Sequence, residues 1–315
     1  MKKLVSYIFP IYNESGNIAL LHSVLDKTLS KKADTYDFEL IFINDGSTDD
    51  SLEKLHELQK TDSRIAVINF ARNFGHQIAV TAGLDYAHGV AVIIMDSDMQ
   101  DPPAVSLQLL EAWEAGNDVV YAQRRTRKDT FFKKLTAKTF YIVLDKLADI
   151  KIPRNTGDFR LVDRRVVDEL KKFREHNRFL RGLVSYVGFK QTAVLFDRDE
   201  RHAGETGYPL KKMLKFAGDG ILSFSVFPLK LISRVGYIIS ALSFLGILYA
   251  LAVKVIDPKA VVAGWTFIVI AILLVGGMQL IMLGVLGSYI GRVYTESQNR
   301  PLYIIESIKP AKKKV

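Results

Sequence analysis

The stretch that decides the fold is VAVIIMDSDMQDPP, Val90 to Pro103. Val90 to Met95 is short, apolar and β-branched without helical spacing, as expected of a strand covered on both faces. Asp96, Ser97, Asp98 and Gln100 follow at its carboxyl end, and Pro102-Pro103 suits a helix start. In open α/β sheets ligands bind beyond that end of the strands, where side chains at 96 and 98 are able to reach one point. Two carboxylates and an amide oxygen are hard ligands suited to Mg²⁺ or Mn²⁺, with open positions left for substrate phosphate oxygens. An Asp-x-Asp turn alone is common; its place between a buried strand and a proline helix start gives it weight.

Upstream, the same unit repeats. Leu4 to Phe9 reads as a strand ending in Pro10-Ile11-Tyr12-Asn13-Glu14, with a helix from near Ser15. Glu39 to Ile43 is a second strand, ending in Asn44-Asp45-Gly46-Ser47-Thr48-Asp49-Asp50-Ser51, a loop rich in helix-capping residues. Ile65 to Phe70 is a third, followed by Ala71-Arg72-Asn73-Phe74-Gly75 and a helix to about His88. After the central strand, Asp118 to Tyr121 makes a fifth, ending in Gln123-Arg124-Arg125. Strands alternating with helices predict an α/β fold with a right-handed, doubly wound, mostly parallel sheet. One rim then collects Glu14, Asp45, Arg72, Asp96, Asp98 and Arg124.

The chain has 315 residues, 49% of them apolar, and no cysteine, which excludes disulfides and thiolate chemistry. Its net charge of +9 is unevenly spread: residues 1–120 carry 9 Lys/Arg against 18 Asp/Glu, and residues 121–315 carry 34 against 16. The acidic half suits metal-assisted binding of a phosphorylated ligand, and the basic half suits an anionic membrane surface. Nucleic acid is not the expected partner, because the basic residues flank apolar segments and line no aromatic platform.

Residues 126–190 read as amphipathic helices, and Arg201 to Tyr208 as a Gly-punctuated loop able to close on substrate. Lys211, Lys212, Lys215 and Lys230 lie among apolar residues, as in helices resting in a membrane interface. Val235 to Val253 and Ala260 to Gly291 carry no charge, and each is long enough to span a bilayer. The expected organisation is a cytoplasmic α/β domain over 1–210, interfacial helices over 211–233, and a membrane hairpin over 234–292 with spans near 235–253 and 262–290. A basic tail over 293–315 follows. The basic tail against a weakly charged loop at Asp257-Pro258-Lys259 places both termini and the catalytic domain in the cytoplasm, on an inner or plasma membrane. Gly276, Gly277, Gly284, Gly287 and Gly291 would permit close helix packing in a homo-oligomer.

Pro10-x-Tyr12-Asn13-Glu14, Asn44-Asp45-Gly46-Ser47-x-Asp49, Asp96-x-Asp98-x-Gln100-Asp101-Pro102-Pro103 and Gly157-Asp158-Phe159-Arg160 together resemble the ordered motifs of family 2 glycosyltransferases of GT-A fold. The similarity runs over the whole chain. It is nearest the branch that makes polyisoprenyl-phosphate sugars, including dolichyl-phosphate mannose synthases and bacterial undecaprenyl-phosphate glucosyltransferases. The resemblance implies that Pro10, Tyr12 and Glu14 wall the nucleotide-sugar site with Arg72, that Asp45 holds base or ribose, and that Asp96 faces the nucleotide. It implies that Asp98 and Gln100, with Asp96, hold Mg²⁺ or Mn²⁺ on the diphosphate, and that the assembly is a tetramer. The implied reaction is inverting transfer of a hexose, glucose from UDP-glucose first, to a polyisoprenyl phosphate for cell-envelope glycosylation. GlcNAc, mannose or an aminoarabinose-type sugar is the alternative.

The chemistry agrees with this. A sugar diphosphate departs as an anion, so a divalent cation stabilises the developing charge. A lipid phosphate is already a nucleophile at neutral pH and needs cations to position it more than a base. Arg124, Arg160 and Arg201 are the candidates, since a guanidinium fork matches phosphate. Asp158, with Asp96, Asp98 and Arg160 in the catalytic set, orients the acceptor or stabilises an oxocarbenium-like centre, or else caps a helix or turn. His76 and His202 are further phosphate candidates, although a lone histidine is more often structural. A dinucleotide oxidoreductase is disfavoured because Pro10 to Glu14 stands where G-x-G-x-x-G belongs. A processive polysaccharide synthase is disfavoured because no Gln-x-x-Arg-Trp occurs, and a non-catalytic membrane nucleotide-binding protein because both carboxylates at 96 and 98 are present.

Overall fold

The computed structural model describes residues 2–125, 153, 156–197, 227–256 and 265–312. They fall into two units: the stretches up to residue 197 with the segment from 300 onward, and the stretches between 227 and 299. Arg201, His202 and the loop to Tyr208, residues 211–226 of the expected interfacial helices, and Asp257-Pro258-Lys259 lie outside the described residues.

In the first unit the strands are β1 (Lys3–Ile11), β2 (Tyr36–Asn44), β3 (Ile65–Phe70), β4 (Ala91–Ile94), β5 (Val119–Arg124), β6 (Thr156–Asp163), β7 (Gln191–Phe196) and β8 (Ile305–Lys309). They form one mixed sheet in the order β7-β5-β6-β4-β1-β2-β3-β8. The helices are α1 (Ser15–Leu29), α2 (Ser51–Thr61), α3 (His76–Tyr86), α4 (Pro103–Glu114), α5 (Arg164–Leu170) and α6 (Leu180–Tyr186). Strand β1 is parallel to β2 on one side and to β4 on the other. The strand order therefore reverses between β1 and β4, which is where open α/β sheets bind ligands.

Side-chain alternation explains the layers. Val5, Tyr7, Phe9 and Ile11 of β1 point to one face and join a core with Ile18, Leu21, Leu25 and Leu29 of α1 and Val105, Leu109 and Leu110 of α4. The buried Tyr7 hydroxyl donates to Ser106 Oγ at 2.8 Å, which satisfies the one polar atom its ring carries into that core. Ile8 points to the other face and meets α3 at Gly83, where a Cβ would stand 2.3 Å from Ile8 Cγ2.

Two differences from the sequence-based expectation concern the sheet. Residues 156–163, expected to be helical, form β6, which runs antiparallel between β4 and β5. Phe159 and Leu161 enter the core while Asp158 and Arg160 take the other face, a period of two hidden by its charges. The segment expected as a basic tail supplies β8, antiparallel to β3. It is locked there by a Tyr303 ring stacked 5.2 Å from Phe70, a Tyr303 hydroxyl donating to Asp85 at 2.8 Å, and an Asn69 amide donating to Glu306 at 2.8 Å.

The second unit consists of α7 (Phe227–Ile256) and α8 (Trp265–Ser297). At 1.5 Å per residue these helices are about 45 and 50 Å long, against about 30 Å for a bilayer core. Both are long and apolar enough to cross a membrane, and large apolar side chains such as Leu242, Phe244, Ile272 and Leu280 are exposed on them. Residues 227–233, expected to belong to the interfacial helices, are the first two turns of α7.

Candidate active site

The rim begins where β1 and β2 end. Asn13 adopts a left-handed φ of 54° and its side-chain oxygen accepts from Thr48 N at 2.8 Å. The first amides of α1 are satisfied by the neighbouring loop: Glu14 N donates to Ser51 Oγ at 3.1 Å and Ser15 N to Asp49 Oδ2 at 3.3 Å. The loop of Asn44 to Ser51 thus caps α1 from outside, and Asp45 N donates to Ile11 O at 2.8 Å, so the segment that follows β1 is tied to the segment that follows β2. Tyr12 stays half exposed, while Asp45 is buried and accepts from Phe74 N at 2.7 Å and Gly75 N at 2.9 Å. Burial raises the Asp45 carboxyl above its ordinary value, opposed by those two amides and by His76 and Arg72. Any ligand at Asp45 must share oxygens that already clamp the β3–α3 loop. Arg72, in that loop, lies 4.0 Å over the Phe74 ring.

Gly46 makes this junction possible. Its φ is +64°, and a Cβ there would stand 2.5 Å from the backbone of Arg72 and of Asn73. Gly46→Ala is expected to destabilise the first unit by about 2 to 4 kcal/mol, from left-handed strain plus displacement of the β3–α3 loop. Thermal unfolding checks this, and an unchanged midpoint would show that the two loops are not in contact.

Asp96, Asp98 and Gln100 follow β4. Met99 takes a left-handed φ of 60°, rare for a residue of its size, and Gln100 N donates to Asp98 Oδ1 at 3.1 Å across that turn. Asp96 Oδ1 is buried without a hydrogen-bond partner; its nearest ionic neighbour is His76 Nε2 at 3.6 Å. Burial raises the Asp96 carboxyl, with Asp158 and Asp98 adding to the effect against His76 and Arg181. An orphaned buried carboxylate oxygen with a second carboxylate, Asp98, nearby fits a hard divalent cation. Among the described residues no group of three His, Asp or Glu side chains stands close enough to hold such an ion.

Asp158, from β6, is the centre of the second half of the site. Arg181 Nε lies 2.9 Å from its Oδ1, and Gln77 Nε2 donates to Oδ2 at 3.2 Å. His76 Nε2 is 3.3 Å from Oδ2, and Arg160 Nη2 is 3.9 Å from Oδ1. Burial alone would raise this carboxyl, yet Arg181, His76 and Arg160 hold it well below the ordinary carboxylate range. For His76 burial disfavours the charge, and Asp96 and Asp158 overcome it, raising the imidazole to about 9. Arg160, deeply buried, is brought down to about 10 by that burial, against the opposing pull of Asp158.

The structure therefore brings Pro10, Tyr12, Glu14, Asp45, Asp96, Asp98, Gln100, Asp158 and Arg160 to the strand-end rim. Arg124, at the end of β5, lies over Gly157, its Nη2 3.5 Å from where a Cβ would be. Asp158 sits inside a strand, so the capping alternative is set aside. Sequence reasoning missed Gln77 and Arg181 and undervalued His76. Gln77 directly follows His76 at the start of α3, but Arg181 lies 23 positions from its partner on a helix of seven residues, and no spacing signals that pairing.

Comparisons with known proteins identify the family. The family model described as glycosyl transferase family 2 matches residues 6–171. An uncharacterised glycosyltransferase of Bacillus subtilis, YkcC, is 50% identical over 302 residues, covering 96% of this chain and 93% of its own. The bactoprenol glucosyl transferase of Shigella phage SfV is 40% identical over 309 residues, covering 97% and 99%. Among solved structures, the mannosyltransferase PcManGT from Pyrobaculum calidifontis, in complex with GDP-Man and Mn²⁺, aligns over 82% of both chains at 13% identity with a TM-score of 0.47. With a family model over more than half its length and close relatives over nearly all of it, this chain belongs to glycosyl transferase family 2 and is a glycosyltransferase.

Proposed function

We propose that this enzyme transfers glucose from UDP-glucose to a polyisoprenyl phosphate at the cytoplasmic face of a membrane, with inversion at the anomeric carbon. The observation that carries the reading is the junction of Asp96 and Asp158 through His76, which joins a diphosphate-type rim and a cation cluster in one site. Relatives named bactoprenol glucosyl transferase, about 40% identical over nearly the whole chain, support the lipid acceptor and the sugar. The two apolar helices support a membrane location.

The nucleotide lies along Pro10, Tyr12, Glu14, Asp45 and Arg72. Asp96, Asp98 and Gln100 would hold Mg²⁺ or Mn²⁺, which when bound neutralises charge on the diphosphate. Tyr12 offers an exposed ring to a base, and the Asn13 and Gly46 turns keep that wall rigid. The acceptor phosphate is anionic at neutral pH, so its oxygen attacks C1 directly as the C1–O bond to the diphosphate breaks, and the electron pair leaves with the nucleotide. No residue has to remove a proton.

The test is to supply a panel of radiolabelled nucleotide sugars to inside-out and right-side-out membrane vesicles with undecaprenyl phosphate. Label from UDP-glucose is expected in the lipid fraction of inside-out vesicles only, and to disappear with a chelator. No transfer from any donor would sink the reading, activity in chelator would remove the cation, and activity confined to right-side-out vesicles would reverse the topology.

A further inference from the structure

Arg72 is exposed, in the loop from Ala71 to Gly75 that joins β3 to α3. A long side chain in such a place ordinarily gives up rotamer freedom when it binds an anion, and that cost weakens the contact. Here the loop is tied at both ends. Phe74 N and Gly75 N donate to Asp45 at 2.7 and 2.9 Å, and Ala71 N donates to Ile304 O at 3.0 Å. The second tie comes from the part of the chain that follows α8.

Side chains from the same two places form a line that ends on Arg72. The Tyr303 ring stacks on the buried Phe70, with centroids 5.2 Å apart and planes 14° from parallel. Phe70 meets Phe74 edge to face, at 5.6 Å and 85°, and the Arg72 guanidinium lies 4.0 Å over the Phe74 ring. Each of these is a favoured arrangement of its two groups. Tyr303 is itself fixed: its hydroxyl donates to Asp85 Oδ2 at 2.8 Å, and Arg174 Nη1 donates to both oxygens of that carboxylate, at 3.1 and 2.9 Å. A tethered ring therefore backs Phe70, Phe70 sets Phe74, and Phe74 is the platform on which Arg72 rests.

We propose that Tyr303 is a positioning residue for the nucleotide sugar, holding Arg72 through Phe70 and Phe74 in the orientation that meets the donor's phosphates. This rests on the reading above that Arg72 belongs to the nucleotide-sugar site. A guanidinium stacked by one face on a ring keeps its N–H edges free for phosphate oxygens, so the platform does not compete with the ligand. Its contribution is preorganisation: the entropy of ordering Arg72 is lost on folding rather than on binding. The effect therefore falls on donor affinity and leaves the acceptor's alone.

The experiment is a double-mutant cycle on the full-length enzyme in detergent with Mg²⁺, pairing Tyr303→Leu and Tyr303→Phe each with Arg72→Ala. Calorimetry gives the UDP-glucose Kd, and turnover gives the KM for undecaprenyl phosphate. Tyr303→Leu removes the ring and is expected to raise the UDP-glucose Kd about fivefold, while Tyr303→Phe only frees the ring from Asp85 and raises it about twofold. The acceptor KM stays within about twofold in both. Arg72→Ala alone is expected to raise the donor Kd about tenfold, as for loss of a charge-assisted contact. In that background neither change at Tyr303 weakens the donor further, a loss of effect that a merely structural role would not give. An unmoved donor Kd in Tyr303→Leu overturns the proposal, as does equal weakening with and without Arg72. If Tyr303→Leu does not fold, Tyr303→Phe decides by the same cycle: a raised Kd that disappears in Arg72→Ala supports the proposal, and an unmoved one overturns it. Arg72→Ala with wild-type donor affinity would instead fail the reading of Arg72 as a donor residue, and the proposal with it.

Discussion

Asp98→Asn is expected to lower turnover by about a thousandfold while leaving the thermal midpoint within a few degrees of wild type. Asp98 is buried at the rim and accepts the Gln100 amide across the left-handed Met99 turn. Asparagine has the same shape and keeps an oxygen for that amide, so the turn survives. What it lacks is the charge that a divalent cation on a departing diphosphate requires. Initial rates with UDP-glucose and undecaprenyl phosphate, beside a thermal melt, separate the two effects. An equally active variant would show that the Asp96-to-Gln100 turn is structural.

Asp158→Ala has the second large effect, and it falls on stability as well as on rate. Removing the carboxylate leaves Arg160 buried without its counter-charge, beside Arg181 and His76. Breaking a buried ion pair from one side costs about 3 to 5 kcal/mol, a large share of the 5 to 15 kcal/mol that holds a typical protein folded. The pH dependence follows from the sign of the shift. The folded carboxyl sits well below its ordinary value, so its contribution is fully present above the ordinary carboxylate range and is lost only as pH falls through the lower folded value. Denaturant unfolding of wild type and variant at neutral pH measures the gap. A gap near zero would mean that Arg160 finds another partner, and the cluster would lose its assigned centre.

Much of this architecture was legible in the residues. The strands β1 to β5 announce themselves as apolar runs ending in polar loops, and each was expected within a few residues of where it lies. The rim from Pro10 to Gln100 follows, because a strand end fixes where its next residues go. Strand β6 was not legible because Asp158 and Arg160 alternate with Phe159 and Leu161, and charges on one face read as solvent until a partner is known. The Arg181–Asp158 pair depends on a helix of seven residues folding back across the rim, which no local pattern records. The docking of β8 was hidden by the lysines around it, which favour an edge strand as readily as a free tail.

Strand β8 also sets an order of events during synthesis. It is made after both long apolar helices, yet it pairs with β3, which is complete more than two hundred residues earlier. Until the ribosome has released Ile305 to Lys309, the edge of β3 carries unpaired amides and carbonyls of the kind that recruit other strands. The sheet therefore cannot be finished before both long apolar helices have been translated, so the enzyme acquires its last strand only after α7 and α8 exist.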